Sequence, residues 1–236
     1  YPTNQNGPAG MWLRENPQDV PLAQLGLEFD QPNGRTLVPG DIHGIGQTLD
    51  LWSGAITSTY TLEGAPVKVT VACHPERDAL AVRIESPLVA GAKLAVRLAL
   101  PRGHDIKTKN NPALDWSQPE SHTTKIVEQG ESSLRLAHAR DASRYAVTLV
   151  SGTPLRIAQT GPHAFRIGAA RGNVLEFTVA FAALPGMSLR DSAPVLSAAD
   201  VRAASATQWE KFWRSGGAVD FSGSTDSSES RRTCMP

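Results

Sequence analysis

Period-two alternation of apolar and polar residues is the feature that most constrains how this chain can fold. In four segments of the first half the apolar side chains recur at every second position, as in a strand with one buried face, and five segments of the second half have a similar texture. The segments are 56–62, 67–73, 80–84, 94–100, 124–128, 134–138, 145–150, 164–167 and 174–182. Clusters of Gly, Pro, Ser and Asp separate them, and Glu63-Gly64 suits a tight hairpin turn. The sequence therefore predicts a mainly β fold, a large two-sheet antiparallel sandwich.

The C-terminal part departs from this pattern. Ser197 followed by Asp200 resembles a helix capping box, and four apolar residues then recur at helical spacing, namely Val201, Trp209, Phe212 and Trp213. The chain is predicted to divide into a β-sandwich domain at 1–196, a helix at 197–216 and a tail at 217–236. That tail is rich in Ser, Gly, Asp and Arg, so it is expected to be disordered or to begin another domain.

Composition excludes several classes of function. The chain has 23 basic and 23 acidic residues, and this balance removes the electrostatic attraction that dominates binding to nucleic acid and anionic membranes. Its two cysteines cannot build a disulfide framework, and Cys73 is expected to be a buried small hydrophobe. The six histidines lack H-x-H, H-x-x-x-H and H-E-x-x-H spacing, so neither a metal site nor a cofactor is predicted.

Two groups of motifs carry a resemblance to a known family. The first is Gln47-Thr48-Leu49-Asp50-Leu51-Trp52-Ser53-Gly54, a hairpin, Cys73-His74-Pro75 and Asp78-Ala79-Leu80-Ala81-Val82-Arg83. The second is Trp209-Glu210-Lys211-Phe212-Trp213, followed by Val219-Asp220-Phe221-Ser222-Gly223. Together they resemble the N-terminal β-sandwich and the linker helix of six-hairpin glycoside hydrolases and phosphorylases, the group of maltose phosphorylase and the related α-L-fucosidases.

This resemblance implies a function by association. In that family the catalytic carboxylates lie in an (α/α)₆ helical barrel, which would begin about where this chain stops, so no catalytic residue is carried over. The resemblance implies a non-catalytic domain that docks the barrel, in a secreted or periplasmic enzyme acting on oligosaccharides or glycosides. Trp209, Phe212 and Trp213 are then expected to face the barrel and to form an exposed apolar patch in its absence.

Direct sugar contact is the main alternative, a free-standing carbohydrate-binding module. Sugars stack on aromatic rings and pair with amides and carboxylates. Trp116 with Asp115 and Asn111 in a long polar loop is the best candidate site, and a second is Trp12 with Arg14 and Asn16. Trp52 is expected to be buried beneath its turn, which Asp50 is expected to cap.

Two further alternatives stay open. A structural sandwich of no enzymatic lineage would leave no exposed patch at the C-terminal helix. An epimerase-like site would pair His74 or His163 with Glu76 or Glu176 as acid and base, although their spacing gives no support.

Overall fold

The computed structural model describes residues 7–8, 21–30, 37–91, 93–103, 114–184 and 196–217. The strands in these ranges are β1 Gln24–Phe29, β2 Ile42–Asp50, β3 Ala55–Leu62, β4 Ala65–Cys73, β5 Ala79–Glu85, β6 Leu94–Ala99, β7 Thr123–Gln129, β8 Ser133–Arg140, β9 Ser143–Val150, β10 Leu155–Gly161, β11 Ala164–Ala169 and β12 Val174–Ala183. The helices are the single turn α1 Pro87–Ala90 and the longer α2 Ala198–Phe212, which continues into a wider turn at Trp213–Gly217. No helix among these residues is both long and apolar enough to span a lipid bilayer.

The strands form two antiparallel sheets, which confirms the predicted fold class. The larger has eight strands in the order β2-β3-β4-β5-β12-β9-β8-β7, and the smaller has four in the order β1-β6-β11-β10. All nine predicted strands are present. The Glu63-Gly64 turn has positive φ at both residues, 47° and 75°, as a two-residue hairpin requires.

The two sheets enclose the core. Phe165 and Ile167 of β11, Phe177 of β12, and Leu98 of β6 are all fully buried there. Strands β5 and β12 lie at the centre of the larger sheet and carry apolar residues on both faces. The inner face contacts the core, and α2 covers the outer face. Small side chains allow that close approach: Ala79 and Ala81 of β5 pack against Ala198 and Val201 of α2.

Ion pairs complete the attachment of α2 to the outer face. Arg202 of α2 donates to the Glu176 carboxylate, and the Arg83 guanidinium lies 3.5 Å from the same carboxylate. Arg83 also donates to Glu85 at 3.0 Å. Each of these side chains is about one-third exposed, and solvent weakens such ion pairs. The network therefore contributes little to the free energy of folding and mainly orients the helix.

Two expectations about burial were wrong. Cys73, at the end of β4, is exposed, although Val67 near the start of the strand lies on the same face and is buried. Trp52 is also exposed, with 52% of its surface accessible. Alternation assigns a residue to one face of a strand, but it does not show how far the opposite layer extends over that face.

Candidate functional site

Three aromatic rings pack against one another at the end of α2. The Trp209 and Trp213 rings stack with centroids 6.1 Å apart, and Phe212 meets both of them edge-on, at 5.7 Å and 4.9 Å. These rings lie beside the turn between β2 and β3. We refer to Leu51, Trp52, Trp209, Phe212 and Trp213 as the aromatic patch.

Polar contacts fix the turn to the helix. The Ser205 hydroxyl donates to the Ser53 carbonyl at 2.8 Å, and the Trp213 indole N–H donates to the Leu51 carbonyl. Asp50 caps the turn as predicted, since its carboxylate accepts from the Trp52 backbone N–H at 3.0 Å and the Ser53 hydroxyl at 2.6 Å. These hydrogen bonds lower the pKa of Asp50, and the bond from the Ser53 hydroxyl contributes most.

The aromatic patch remains open on its outer side. Leu51 and Trp52 are each 52% exposed, Phe212 is 46% exposed and Trp209 is 40% exposed. A neighbouring cross-strand pair, Leu49 opposite Ile56, adds further exposed apolar surface. Val201, nearer the start of the helix, is fully buried. The helix therefore packs on its own sheet at one end and presents unpaired aromatic surface at the other.

Asp115 and Trp116, predicted to contact sugar, lie in a second region. Asp115 accepts from buried Arg102 at 2.8 Å and from the Ser117 hydroxyl at 2.6 Å. Hydrogen bonds from Ser117, followed by the charge of Arg102, lower the pKa of Asp115. Trp116 is 44% exposed, and the Arg97 guanidinium lies 5.0 Å from its ring centroid. The Asp115 carboxylate is thus already engaged by protein groups, while much of the Trp116 ring is open.

The remaining candidates for sugar contact fall outside the described residues. They are Asn111, Trp12, Arg14 and Asn16.

Three histidines distant in sequence meet at one end of the sandwich. One ring nitrogen from each of His122, His138 and His163 lies within 4.8 Å of the other two. His138 is 1% exposed and His122 is 6% exposed, while His163 is half-buried. The His122 and His163 rings stack with centroids 3.6 Å apart. We refer to these three residues as the histidine cluster.

Hydrogen bonds around Thr124 determine where the protons of this cluster lie. The His163 Nε2 is 2.8 Å from the Pro119 carbonyl, which can only accept, so this nitrogen carries the proton. In the tautomer that this contact favours, His163 Nδ1 accepts from the Thr124 hydroxyl at 2.8 Å. The Thr124 oxygen in turn accepts from His138 Nδ1 at 2.9 Å. His138 Nε2 is left with a bare lone pair, a tautomer inferred from the network.

Two nitrogens of the cluster are buried without a hydrogen-bond partner among the described residues. They are His138 Nε2 and His122 Nδ1. Burial, followed by the charges of neighbouring histidines, lowers the pKa of His138 to about 4. Burial also lowers the pKa of His122 to about 4, with smaller contributions from His163, Arg140 and Arg102. Both rings are therefore neutral at pH 7.

Sequence spacing does not reveal this cluster, because residues of two sheets and a cross-strand pair form it. His138 lies opposite Thr124 in the register of β7 and β8, and His163 lies in the turn between β10 and β11 of the smaller sheet. His122 directly precedes β7. Alternation assigns His138 to one face of its strand, but the spacing of residues along the sequence does not show which residues of the other sheet contact that face.

The groups suggested for an epimerase-like pair have other partners. Glu176 is held by Arg202 and Arg83, and His74 Nδ1 accepts from the Glu76 backbone N–H at 3.1 Å. A cavity of about 270 Å³ lies between the sheets, but its lining offers only apolar residues: Leu25, Gly26, Leu27, Val69, Val71, Leu80, Val82, Ile84, Val96 and Phe177. That lining provides no acid or base.

Comparison with solved structures identifies a similar fold. A bacterial glucoamylase crystallised with acarbose superposes with a TM-score of 0.50 at 12% sequence identity, covering 89% of this chain. The match covers 34% of the glucoamylase chain, so this chain spans about a third of that protein's length. The likeness is one of fold. No protein-family model and no curated protein matches the sequence.

Proposed function

We propose that this chain is the non-catalytic N-terminal β-sandwich of a carbohydrate-active enzyme, a glycoside hydrolase or phosphorylase, and that it docks an (α/α)₆ catalytic barrel. In this proposal residues 1–196 form the supporting sandwich, 197–216 the linker helix, and 217–236 lead toward the barrel. A secreted or periplasmic location belongs to the same proposal. The observation that carries it is the aromatic patch on a helix that is otherwise seated on its own sheet.

The geometry of the patch favours docking over a purely structural role. A helix that only covered its sheet would turn its largest apolar side chains inward, yet Trp209 and Phe212 are 40% and 46% exposed. Exposed aromatic surface of this kind is typical of protein interfaces, where aromatic residues provide much of the binding energy. The likeness of fold to a chain about three times as long is consistent with a domain that has a partner.

The test is association with a partner expressed separately. The DNA downstream of the Pro236 codon, read in all frames, should encode a polypeptide of helical hairpins. Produced with its own tag, it should bind this chain in calorimetry. Phe212→Asp should weaken binding at least tenfold by placing a charge in the interface. Val127→Asp changes an equally exposed residue on β7, at the far edge of the larger sheet, and should leave binding intact.

Three results would count against this proposal. One is an absence of helical-hairpin sequence in every downstream frame, and another is equal binding by the two Asp variants. The third is reproducible turnover when the chain alone is incubated with a panel of glycosides.

A second candidate function, carbohydrate binding by the chain itself, rests on the exposed ring of Trp116. An open indole face can stack on the apolar face of a sugar. Trp116→Ala should then abolish affinity for the oligosaccharide that binds in a glycan screen, whereas Trp52→Ala should not. The absence of binding by the wild-type chain across the screen would eliminate this candidate.

A further inference from the structure

Two ring nitrogens of the histidine cluster have no partner in the part of the chain that the structure describes. His138 Nε2 presents a lone pair toward no partner, and His122 Nδ1 is likewise buried without one. Buried polar atoms are normally hydrogen-bonded, so two orphan nitrogens in one cluster require an explanation. Neutral imidazole nitrogens that do not bond within the protein are the usual ligands of transition metals.

We propose that His122, His138 and His163 bind a divalent transition-metal ion of the zinc type. The ion would lie between the ends of β7 and β8 and the turn joining β10 to β11. Three imidazoles leave a fourth position for water, as in open zinc sites. This inference does not depend on the proposed function, because the aromatic patch lies at the opposite edge of the larger sheet.

The separation of the three rings is close to what a metal needs. Nitrogens bound 2.0–2.1 Å from a tetrahedral zinc ion lie roughly 3.3 Å apart, and each histidine has one ring nitrogen within 4.8 Å of a ring nitrogen of the other two. The lone pairs of stacked rings run parallel and do not converge on one point. The His122 ring must therefore rotate away from His163 before both can bind the same ion. Movements of about 1 Å at the ring nitrogens are enough.

Hydrogen bonds already orient two of the rings as metal ligands. Ligating histidines usually donate their second N–H to a carbonyl or other acceptor, which fixes the tautomer. His163 Nε2 donates to the Pro119 carbonyl, and His138 Nδ1 donates to Thr124. Each bond leaves a lone pair on the other nitrogen of its ring, which is the atom that would bind the metal. The metal would replace the Thr124 hydroxyl on His163 Nδ1.

Neighbouring charges limit the affinity. Arg102 and Arg140 are buried close enough to lower the pKa of His122, and the same positive potential opposes a cation. Asp115 offsets part of it through its ion pair with Arg102. We therefore expect a Kd on the order of 1–100 µM, far weaker than that of four-ligand structural zinc sites.

Calorimetric titration of the full chain with Zn²⁺ at pH 7.5 tests the proposal. The wild type should bind one ion, and His138→Gln and His122→Gln should each weaken binding at least thirtyfold. His43→Gln changes an exposed histidine of β2 and should bind as the wild type does. Equal affinity in the His138 and His43 variants, or a wild-type Kd above 1 mM, would overturn the proposal.

A measurement on the wild type keeps the test independent of variants that fail to fold. X-ray absorption by the zinc-loaded chain counts its imidazole ligands. Two or three imidazoles support the site, whereas one or none excludes it. Circular dichroism of each variant without metal shows whether it retains the β fold.

Discussion

A β-carbon built on Gly54 would lie 2.2 Å from the indole ring of Trp209. Gly54 also has a φ of +67°, which side-chain-bearing residues adopt at a cost. The glycine thus has two roles. It closes the turn between β2 and β3, and it lets the α2 aromatic rings lie directly on that turn.

Gly54→Ala should lower the free energy of unfolding by about 2–3 kcal/mol. About 1 kcal/mol arises from the positive φ, and the rest from displacing Trp209. Gly64→Ala separates the two effects, because Gly64 has a φ of +75° but nothing within 4 Å of its built β-carbon. Urea titrations should show a loss of only about 1 kcal/mol for the Gly64 variant. Equal losses in the two variants would mean that the indole moves aside freely.

Ser197→Ala should destabilise the chain by about 1 kcal/mol. The Ser197 hydroxyl accepts from the Asp200 backbone N–H at 3.2 Å, and the Asp200 carboxylate accepts from the Ser197 backbone N–H. Thr207→Ala, at an exposed position in the same helix, should change stability by less than about 0.5 kcal/mol. Thermal melts of both variants check the difference. A Ser197 variant as stable as the Thr207 variant would contradict a role for this cap.

The sequence predicted those parts of the fold that local patterns encode. Ser197 and Asp200 marked the start of α2, and alternation marked nine strands. Strand β2 escaped because Gly44 and Gly46 interrupt any alternation and nearly all of the strand is exposed. Strand β1 also went unpredicted, although its Leu25, Leu27 and Phe29 alternate with Gln24, Gly26 and Glu28, and β10 was missed because its alternation is confined to Leu155 and Ile157.

The candidate sites were less predictable for a physical reason. Exposure of Phe212 could be anticipated from the resemblance, whereas exposure of Trp52 depends on how far neighbouring layers extend. The histidine cluster depends on the pairing of His138 with Thr124 and on the approach of the second sheet at His163. Thr124 and His163 are 39 positions apart, and the periodicity of a short segment cannot predict a contact over that separation.

Asp115→Ala should cost about 2 kcal/mol of stability. Arg102 is 5% exposed and donates to the Asp115 carboxylate at 2.8 Å, so removing the acid leaves a buried cation less compensated. Ser117→Ala removes only the 2.6 Å hydroxyl contact and should cost less than about 1 kcal/mol. Chemical denaturation measures both losses. Unchanged stability in the Asp115 variant would indicate a carboxylate available to a ligand rather than committed to the fold.

Metal-free protein, kept in a chelator, should lose stability as the pH falls from about 6.5 to about 4. An unfolded histidine binds a proton near pH 6.5, whereas His138 and His122 in the folded chain resist protonation until about pH 4. The unfolded state therefore binds more protons in this window, and stability falls with decreasing pH by up to about 1.4 kcal/mol per unit for each ring. Above pH 6.5 this contribution is fully present. Urea midpoints between pH 4 and 8 measure the slope.

His138→Gln should reduce that pH dependence by about half, since glutamine does not titrate and His122 remains. His43→Gln is the matched control, because His43 is exposed, and its variant should retain the wild-type slope. A slope that persists unchanged in the His138 variant would show that other groups, such as carboxylates paired in the folded state, produce the acid sensitivity. A slope reduced by about half would show that the folded chain loses stability at low pH because it keeps the His138 ring neutral.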